Sequence, residues 1–303
     1  MKSLVIVNPK AANGKAGRTW PQWRKRLEQT LGDFDVAFTE SAGHGEILTR
    51  DGLLSGYGHI HAIGGDGTAT EVASGFLQNG KPFRPDALFS VWPAGTGCDF
   101  HRSLMLSESF KNRGADHITP LDIGRLTYLD NDRKPVEKYF LNIASCGISG
   151  FVDQLMVTKW KKMGRMSFLL NTVEGLARYK NRRVHIKTDR GDLGEHVVRV
   201  VAVANGKYFG GGMKIAPDAQ VDDGKFQLVV LGDVSVVDAI LHAPQLYSGQ
   251  HTSHPKYLSH NITWAEITSD EEVLLDLDGE ALGVLPLRVQ IIPAAIRLKT
   301  FPA

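Results

Sequence analysis

A glycine-rich segment with a single acidic residue, Gly64-Gly65-Asp66-Gly67-Thr68, ends a short apolar run in this 303-residue chain. Glycines let the main chain approach a ligand closely, and the N-terminus of a helix presents unpaired N–H groups to a phosphate. A carboxylate at Asp66 would repel phosphate unless a divalent cation or a transferable proton lay between them. The segment therefore predicts a metal–nucleotide site that carries out chemistry. A tight turn with glycines for packing is the alternative for any such short motif.

A second glycine segment, Gly95-Thr96-Gly97-Cys98-Asp99-Phe100, follows a predicted strand over 87–92 and leads into another helix-like stretch. Loops that follow parallel strands lie at the carboxyl edge of an α/β sheet, where ligands bind. We therefore expect both segments to face one edge and to offer N–H groups and hydroxyls to a polyphosphate. The loops after the first two predicted strands bring further candidates to this edge, namely Asn8, Lys15 and Thr39.

The stretch after the first glycine segment has the pattern of a helix. Thr68 and Glu71 have the spacing of a capping box, which predicts a helix start near Thr68. Asn79-Gly80 is the predicted stop. The apolar residues that would form one face of this helix are Ala69, Val72, Ala73, Phe76 and Leu77.

Two acidic turns stand out in the second half of the chain. Asp278-Gly279-Glu280 follows an alternating strand pattern, and a tight turn there could aim a carboxylate into a cleft as a general base. A plain hairpin turn is the alternative. The segment 216–224 gathers three Asp residues, whose oxygens suit Mg²⁺, although an Asx turn before a strand explains the same residues.

Composition restricts the class of protein. Hydrophobic residues make up 42% and charged residues 22%, as in ordinary globular proteins, and the net charge of +2 gives no reason to expect nucleic acid as a partner. Two cysteines without a CxxC motif fit a reducing cytoplasm. No uncharged apolar run approaches the ~20 residues of a membrane span, so any membrane contact should be peripheral.

The order of predicted elements indicates two domains. Strands and helices alternate up to about Asp122, after which short β-branched or alternating runs dominate, as in a β-sandwich. Between them, a segment over 151–180 looks helical and basic and is our candidate for a membrane-facing region, with a solvated helical face as the alternative. The sequence leaves open whether the protein forms a homodimer.

Together these residues resemble the diacylglycerol kinase catalytic-domain family, which includes bacterial lipid kinases and sphingosine kinases. The matching elements occur in family order over nearly the whole chain. They are Asn8-Pro9 with Gly14-Lys15-Ala16, Gly64 to Thr68 with Glu71-Val72, Gly95-Thr96-Gly97 with Asp99-Phe100, Asn205-Gly206 with Gly210-Gly211-Gly212, Ala216-Pro217-Asp218-Ala219 with Asp223-Gly224, and Asp278-Gly279-Glu280.

The resemblance implies an N-terminal α/β nucleotide-binding domain over 1–124, to which residues from about 290 to 303 return, and a C-terminal all-β sandwich domain over 125–289 that binds the lipid. It implies an ATP- and Mg²⁺-dependent lipid kinase that is cytoplasmic and peripherally membrane-associated, with ATP in the cleft between the domains and a lipid alcohol such as diacylglycerol as acceptor. Asp223 would hold Mg²⁺ together with the carbonyls of Gln220 and Lys225. Asp278, Glu280 or Asp66 would be the base. The residues expected to contact ATP are Asn8, Lys15, Thr39, Gly65, Asp66, Gly67, Thr68, Glu71, Gly95 and Thr96.

Two positions depart from the family pattern. Cys98 stands where the second loop usually has Asn, and Thr70 stands where the first motif usually has Asn before Glu71. These departures motivate one rival, a nucleotide-binding regulatory protein that has lost catalysis. The other rival is an NAD-kinase-like phosphotransferase with a soluble acceptor, because the first glycine segment alone is shared with NAD kinases.

Overall fold

The computed structural model describes residues 1–106, 117–158, 175 and 178–301, and it divides into two compact units. The first unit comprises Met1–Ile123, Val221–Asp223 and Ile292–Ala303, and the second comprises Gly124–Gln220 and Gly224–Ile291. Most of the predicted basic segment over 151–180 lies outside the described residues. Among the described residues, none of the helices is long and apolar enough to cross a membrane.

The first unit alternates strands with helices, as the sequence predicted. Its elements in chain order are β1 (Ser3–Val7), α1 (Ala11–Arg18), α2 (Trp20–Leu31), β2 (Asp35–Phe38), α3 (His44–Leu54), β3 (His59–Gly64), α4 (Asp66–Ser74), β4 (Leu77–Gln78), β5 (Lys81–Pro82), β6 (Leu88–Pro93) and α5 (Asp99–Leu106).

A parallel sheet in the order β2-β1-β3-β6 forms the centre of the first unit. All residues of β1 and β3 are buried, which explains the near-continuous apolar sequence of β1, whereas β3 also buries His59 and His61. The end of the last strand of the chain adds to the free side of β6, with Arg297 paired to Leu88 and Leu298 to Phe89 in parallel register. Because all these strands run the same way, the loops after β1, β2, β3 and β6 share one edge of the sheet.

The predicted capping box at the start of α4 is wrong. The helix begins at Asp66, with Gly65 as N-cap residue and no capping hydrogen bond from a side chain. The two predicted capping side chains have distant partners instead. The Thr68 hydroxyl accepts a hydrogen bond from the Asn8 side chain, and the Glu71 carboxylate accepts main-chain N–H groups at the start of α3. The helix ends at Ser74, earlier than the predicted stop.

The second unit consists mainly of antiparallel strands. Its elements are β7 (Ile118–Leu129, which begins in the first unit), β8 (Pro135–Phe140), β9 (Ile143–Gly147), α6 (Ile148–Thr158), β10 (Arg182–Thr188), β11 (Gly191–Val198), β12 (Val200–Ala204), β13 (Phe226–Leu231), α7 (Val236–Ser248), a 3₁₀ turn (Gln250–Ser253), β14 (Tyr257–Ile262), β15 (Trp264–Thr268), β16 (Leu274–Leu277) and β17 (Glu280–Lys299), which continues into the first unit.

Alternate side chains of these strands build one hydrophobic core, as a β-sandwich requires. Val201 and Val203 of β12 enter this core, and Ala202 between them contributes to a smaller cluster on the other face. The run of mainly apolar residues over 197–204 has the pattern of a single strand, but it is interrupted at Arg199, whose N–H donates to the carbonyls of Leu231 and Gly232. The fold of this unit is therefore the predicted sandwich, with a local irregularity that the apolar pattern did not reveal.

Candidate active site

The two glycine segments touch each other directly. Gly64 and Pro93 are paired across β3 and β6, and the Ala94 N–H donates to the Gly64 carbonyl at 2.9 Å. A Cβ atom at position 95 would lie only 2.4 Å from the Gly65 Cα, whereas one at position 65 would lie 3.5 Å from the Gly95 Cα. Residue 95 must therefore be glycine for the loops to approach, and the prediction that both loops share one edge is confirmed.

Asn8 joins the loop after β1 to the first glycine segment. Its main-chain N–H donates to the Ile63 carbonyl, and its Nδ2 donates to the Thr68 Oγ1, each at 3.0 Å. Thr68 is buried, and its side chain packs against Gly64, where a Cβ would lie 2.4 Å from the hydroxyl oxygen. The Thr68 hydroxyl is thus fixed by a neighbour from another strand rather than by its own helix.

Asp66 links the first loop to the helix that follows the second. Its two carboxylate oxygens accept the main-chain N–H groups of Asp99, at 2.9 Å, and of Phe100, at 3.0 Å, in the first turn of α5. Burial raises the pKa of Asp66 to about 6, and the two N–H donors oppose this rise because they stabilise the carboxylate. Asp66 therefore holds the two loops together and titrates near neutral pH.

Two further predicted contacts with the nucleotide have structural partners. The Glu71 carboxylate accepts the N–H groups of Gly43, at 2.7 Å, and Gly45, at 3.0 Å, and so caps α3. Thr39 is buried, and its N–H donates to the Val7 carbonyl. Both residues shape the edge of the sheet that carries the glycine loops.

A cleft of about 350 Å³ opens beside the second glycine segment. Two exposed cations, Lys15 and Arg26, line it opposite the main chain at Gly95, and Trp23 forms part of its wall. Arg26 also lies over the Trp23 ring, 5.7 Å from its centroid. Gly67 is half-buried and Thr96 is exposed. The combination of cations and a glycine main chain suits an anionic ligand, and the contribution of Arg26 was missed from the sequence.

Cys98 lies in the second loop in a left-handed conformation, with φ of 52°. A Cβ at Gly95 would lie 3.2 Å from its sulfur, so the thiol packs over the point where the two loops meet. Burial, and to a smaller extent the negative charge of Asp66, raises the pKa of the Cys98 thiol to about 11. The thiol is therefore protonated and behaves as a small packing group.

In the second unit, the Asp278-Gly279 turn connects β16 to β17. Leu277 pairs with Glu280, and both residues between them have positive φ, as a type I′ hairpin turn requires. The Asp278 N–H donates to the Ile143 carbonyl at 3.0 Å, and its carboxylate accepts the Ile143 N–H at 2.8 Å. Asp278 thus ties the turn to β9, whereas Glu280 is exposed.

The predicted metal ligands lie on the segment between β12 and β13. Gln220, Asp223 and Lys225 are all exposed there. The neighbouring Val221 carbonyl accepts the N–H of buried Asp122 at 2.8 Å, and the Asp122 carboxylate accepts the Ala294 N–H at 2.7 Å. One carboxylate and two carbonyl oxygens are donors that fit Mg²⁺. Asp122, which anchors the segment, was not identified from the sequence.

Another cluster of metal-ligand types was not predicted, namely Asp238, His242 and His254. The Asp238 carboxylate lies 3.0 Å from His242 Nδ1 and 3.2 Å from His254 Nε2. The Lys256 N–H donates to His254 Nδ1, so the proton of the neutral His254 ring belongs on Nε2, the atom that faces Asp238. Hydrogen bonding therefore accounts for this cluster, and we assign no metal to it.

Comparison with known proteins agrees with these features. Residues 2–126 match the diacylglycerol kinase catalytic domain, and residues 142–300 match the YegS C-terminal NAD kinase beta sandwich-like domain. A diacylglycerol kinase of Staphylococcus haemolyticus is 30% identical over 291 residues, which cover 93% of this chain and 83% of the relative. A Pectobacterium atrosepticum protein named "Probable lipid kinase YegS-like" is 28% identical over 302 residues, 99% of this chain and 96% of the relative.

Among solved structures, a diacylglycerol kinase from Bacillus anthracis superposes with a TM-score of 0.72 at 22% identity, covering 99% of this chain and 97% of that one. This likeness supports the two-part fold. The domain matches and the curated relatives lead to one conclusion: the chain belongs to the diacylglycerol kinase catalytic-domain family, a family of lipid kinases.

Proposed function

We propose that this protein transfers the γ-phosphoryl group of ATP to the hydroxyl of a lipid alcohol such as diacylglycerol. In this reaction the acceptor oxygen forms a bond to the γ-phosphorus, the bond from that phosphorus to the β–γ bridging oxygen breaks, and ADP leaves. The hydroxyl proton passes to a carboxylate of the protein. Positioning and neutralisation of charge contribute most of the catalysis in such transfers.

The observation that carries this proposal is the contact between the Gly65 and Gly95 loops at one edge of the parallel sheet. Main-chain N–H groups at this edge and the cations Lys15 and Arg26, which line the cleft beside Gly95, would bind the phosphates of ATP. A polyphosphate needs several hydrogen-bond donors and positive charge at close range, and this edge of the sheet offers both.

We assign the base to Glu280. The Asp278 carboxylate already accepts the Ile143 N–H, and this bond holds the turn in place. The Asp66 carboxylate accepts two N–H groups, so its role is to join the loops. Glu280 follows the turn on β17 and is exposed, so its carboxylate is accessible to a bound acceptor.

We propose that Mg²⁺ binds at the 220–225 segment, where the Asp223 carboxylate and the carbonyls of Gln220 and Lys225 would be its ligands. When bound, it would add positive charge that offsets the charge of the phosphates. The role of this chain's own residues is to hold the segment, which Asp122 does through the Val221 carbonyl.

A lipid acceptor resides in a membrane, and the enzyme must reach it there. We therefore also propose that the protein associates peripherally with membranes from the cytoplasm. The names of the curated relatives favour a lipid over a soluble acceptor. Binding to vesicles that contain anionic lipid, compared at low and high salt, tests this point separately from catalysis.

The function is tested by incubating the purified protein with labelled ATP and Mg²⁺ and offering diacylglycerol, a sphingoid base, phosphatidylglycerol and NAD in parallel. Phosphorylation of a lipid supports the proposal, and phosphorylation of NAD alone overturns it. Binding of ATP without transfer to any acceptor favours the regulatory alternative. Glu280→Gln should abolish transfer, whereas Asp278→Asn should retain a measurable rate, with loss of stability because the Ile143 N–H loses a charged acceptor.

A further inference from the structure

Helix α7 in the second unit presents an apolar face to solvent. Val237, Ile240, Leu241 and Tyr247 are each more than half exposed, although large apolar side chains usually lie inside a protein. Their spacing along the helix places all four on one face. A contiguous exposed apolar face of this kind marks a contact with a membrane or with another protein.

This face of α7 carries no charge. Pro244 and Ser248, which share it, are also exposed and uncharged. The acidic side chain of the helix lies away from it, because the Asp238 carboxylate is 3.0 Å from His242 Nδ1 and 3.2 Å from His254 Nε2. A partner that binds through ion pairs would therefore find no charged group to pair with on this face.

Hydrogen bonds hold α7 at both ends. The Ser235 hydroxyl accepts the Asp238 N–H at 3.1 Å and caps the first turn. Gly249 ends the helix in a left-handed conformation, and its N–H donates to the Gln245 carbonyl. The Lys214 N–H donates to the Leu246 carbonyl at 2.7 Å. The apolar face is therefore formed before any partner binds.

A lysine lies beside each end of α7. Lys256 is exposed, and its ammonium group donates to the Asp233 carbonyl just before the helix. At the other end, a Cβ on Gly249 would lie 3.1 Å from the Lys214 Cδ. An apolar face between two cations complements a bilayer, in which anionic headgroups cover an apolar interior.

The size of the face favours a membrane over a second copy of this chain. Stable protein interfaces take about 20–30 residues from each partner. Helix α7 offers four large apolar side chains, which suit a shallow contact in which a helix buries one side by about 5–10 Å. A lipid kinase must also reach an acceptor that resides in a membrane, so a bilayer is the partner with the matching chemistry.

We propose that α7 inserts its apolar face into the surface of an anionic bilayer and holds the second unit at the membrane that contains the acceptor. This inference rests on the proposed function. The four apolar side chains enter the boundary between headgroups and acyl chains, and the two lysines contact headgroup phosphates. Binding through the apolar face persists at high salt, whereas binding through charge alone is screened.

Sedimentation with vesicles of equal parts phosphatidylcholine and phosphatidylglycerol tests this at high salt. Ile240→Ser should weaken binding about tenfold, because an isoleucine side chain is withheld from the apolar region. Ile47→Ser is the matched control and should change nothing, since Ile47 of α3 is 57% exposed and Ile240 is 56% exposed. Equal losses in both variants, or wild-type binding that high salt abolishes, would overturn the inference.

An environment-sensitive fluorophore reports insertion without catalysis. Leu241→Cys labelled with NBD should brighten when vesicles are added, and Ile47→Cys labelled in the same way should not. The native cysteines are common to both proteins. A probe at position 241 that is bright before vesicles are added would show that protein covers the face. A wild-type dimer that Ile240→Ser dissociates would show that a second copy covers it, and either result overturns the inference.

A soluble acceptor separates this inference from the proposed function. With dihexanoylglycerol in solution, Ile240→Ser should match the wild-type rate, whereas with diacylglycerol in vesicles its rate should fall about tenfold, as its binding does. A wild-type protein that inserts but phosphorylates neither acceptor refutes the lipid kinase proposal and leaves the membrane contact standing. An active protein whose rate on vesicles is unaffected by Ile240→Ser refutes the membrane contact alone.

Discussion

The carboxylate of Asp66 accepts the main-chain N–H of Phe100 at 3.0 Å, so a residue at the start of α4 caps a helix that begins more than thirty residues later. The neighbouring Asp99 N–H is held by the same carboxylate. These two hydrogen bonds hold the two glycine loops together. Several properties of the protein should depend on them.

Asp66→Asn should remove a pH dependence of stability. The pKa of Asp66 rises from 3.8 to about 6 on folding, so the native state retains a proton that the unfolded chain has released. The free energy of unfolding should therefore fall as pH rises from about 4 to about 6, by on the order of 3 kcal/mol from this group. The melting temperature, measured in EDTA at several pH values across this range, should fall more steeply with pH for the wild type than for the variant. Equal slopes would contradict the assignment.

Gly95→Ala should separate the two loops, because its Cβ would lie 2.4 Å from the Gly65 Cα. Overpacking against the main chain costs roughly 1–3 kcal/mol, which should appear as a lower melting temperature and weaker ATP binding. Gly65→Ala is the matched control, since its Cβ would meet the Gly95 Cα at 3.5 Å, an ordinary contact. If both variants melt at the same temperature, the close approach of the loops is not what requires glycine at position 95.

Glu71→Gln should loosen the start of α3. The single carbonyl oxygen of Gln can replace only one of the two carboxylate acceptors used by Gly43 and Gly45, so we expect a loss of about 1–2 kcal/mol. Hydrogen exchange at residues 43–45 should accelerate. Glu46→Gln, on α3 itself, is the control. It removes only a surface ion pair with Arg50 and should change the hydrogen exchange of residues 43–45 little. Rapid exchange in both variants would argue that the helix start is labile for another reason.

Cys98→Asn should stabilise the protein. Cys98 has a φ of 52°, a conformation that Asn adopts more readily than other residues with a side chain, and relief of this strain should contribute about 1 kcal/mol. Cys98→Ser controls for size and polarity and should bring no gain. In the wild type, the raised thiol pKa of about 11 predicts slow alkylation at neutral pH, measurable by mass spectrometry.

Features that depend on residues close together in the sequence could be predicted from it. The short β-branched runs of the second half form strands, as Phe226–Leu231 does, and the parallel arrangement of β3 and β6 follows from the alternation of strands and helices. The meeting of the glycine loops follows in turn, because the carboxyl ends of parallel strands share one edge. In these segments the spacing of apolar residues in the sequence matches the secondary structure that forms.

Features set by distant partners could not be predicted in this way. Glu71 has the spacing of a capping box within its own helix, but its carboxylate caps a helix 28 residues away from it at Gly43. Asp276 in β16 has the pattern of one polar residue in an alternating strand, but its buried carboxylate accepts from the Ser145 hydroxyl of β9 and from the Gly279 N–H. Helix α7 was missed although Ser235 and Gly249, its capping residues, are visible signals. Several of its large apolar residues are exposed, against the usual amphipathic pattern, namely Val237, Ile240, Leu241 and Tyr247.

The end of β17 has a consequence for how this protein is made. Arg297 pairs with Leu88 and Lys299 accepts from the Ser90 hydroxyl, so the sheet of the first unit is completed by residues that leave the ribosome after the entire second unit. Until then, β6 exposes an unpaired edge, a template for pairing with other chains. The nascent chain therefore exposes this edge until residues 292–299 are synthesised, and the first unit reaches its final form last although most of its sequence comes first.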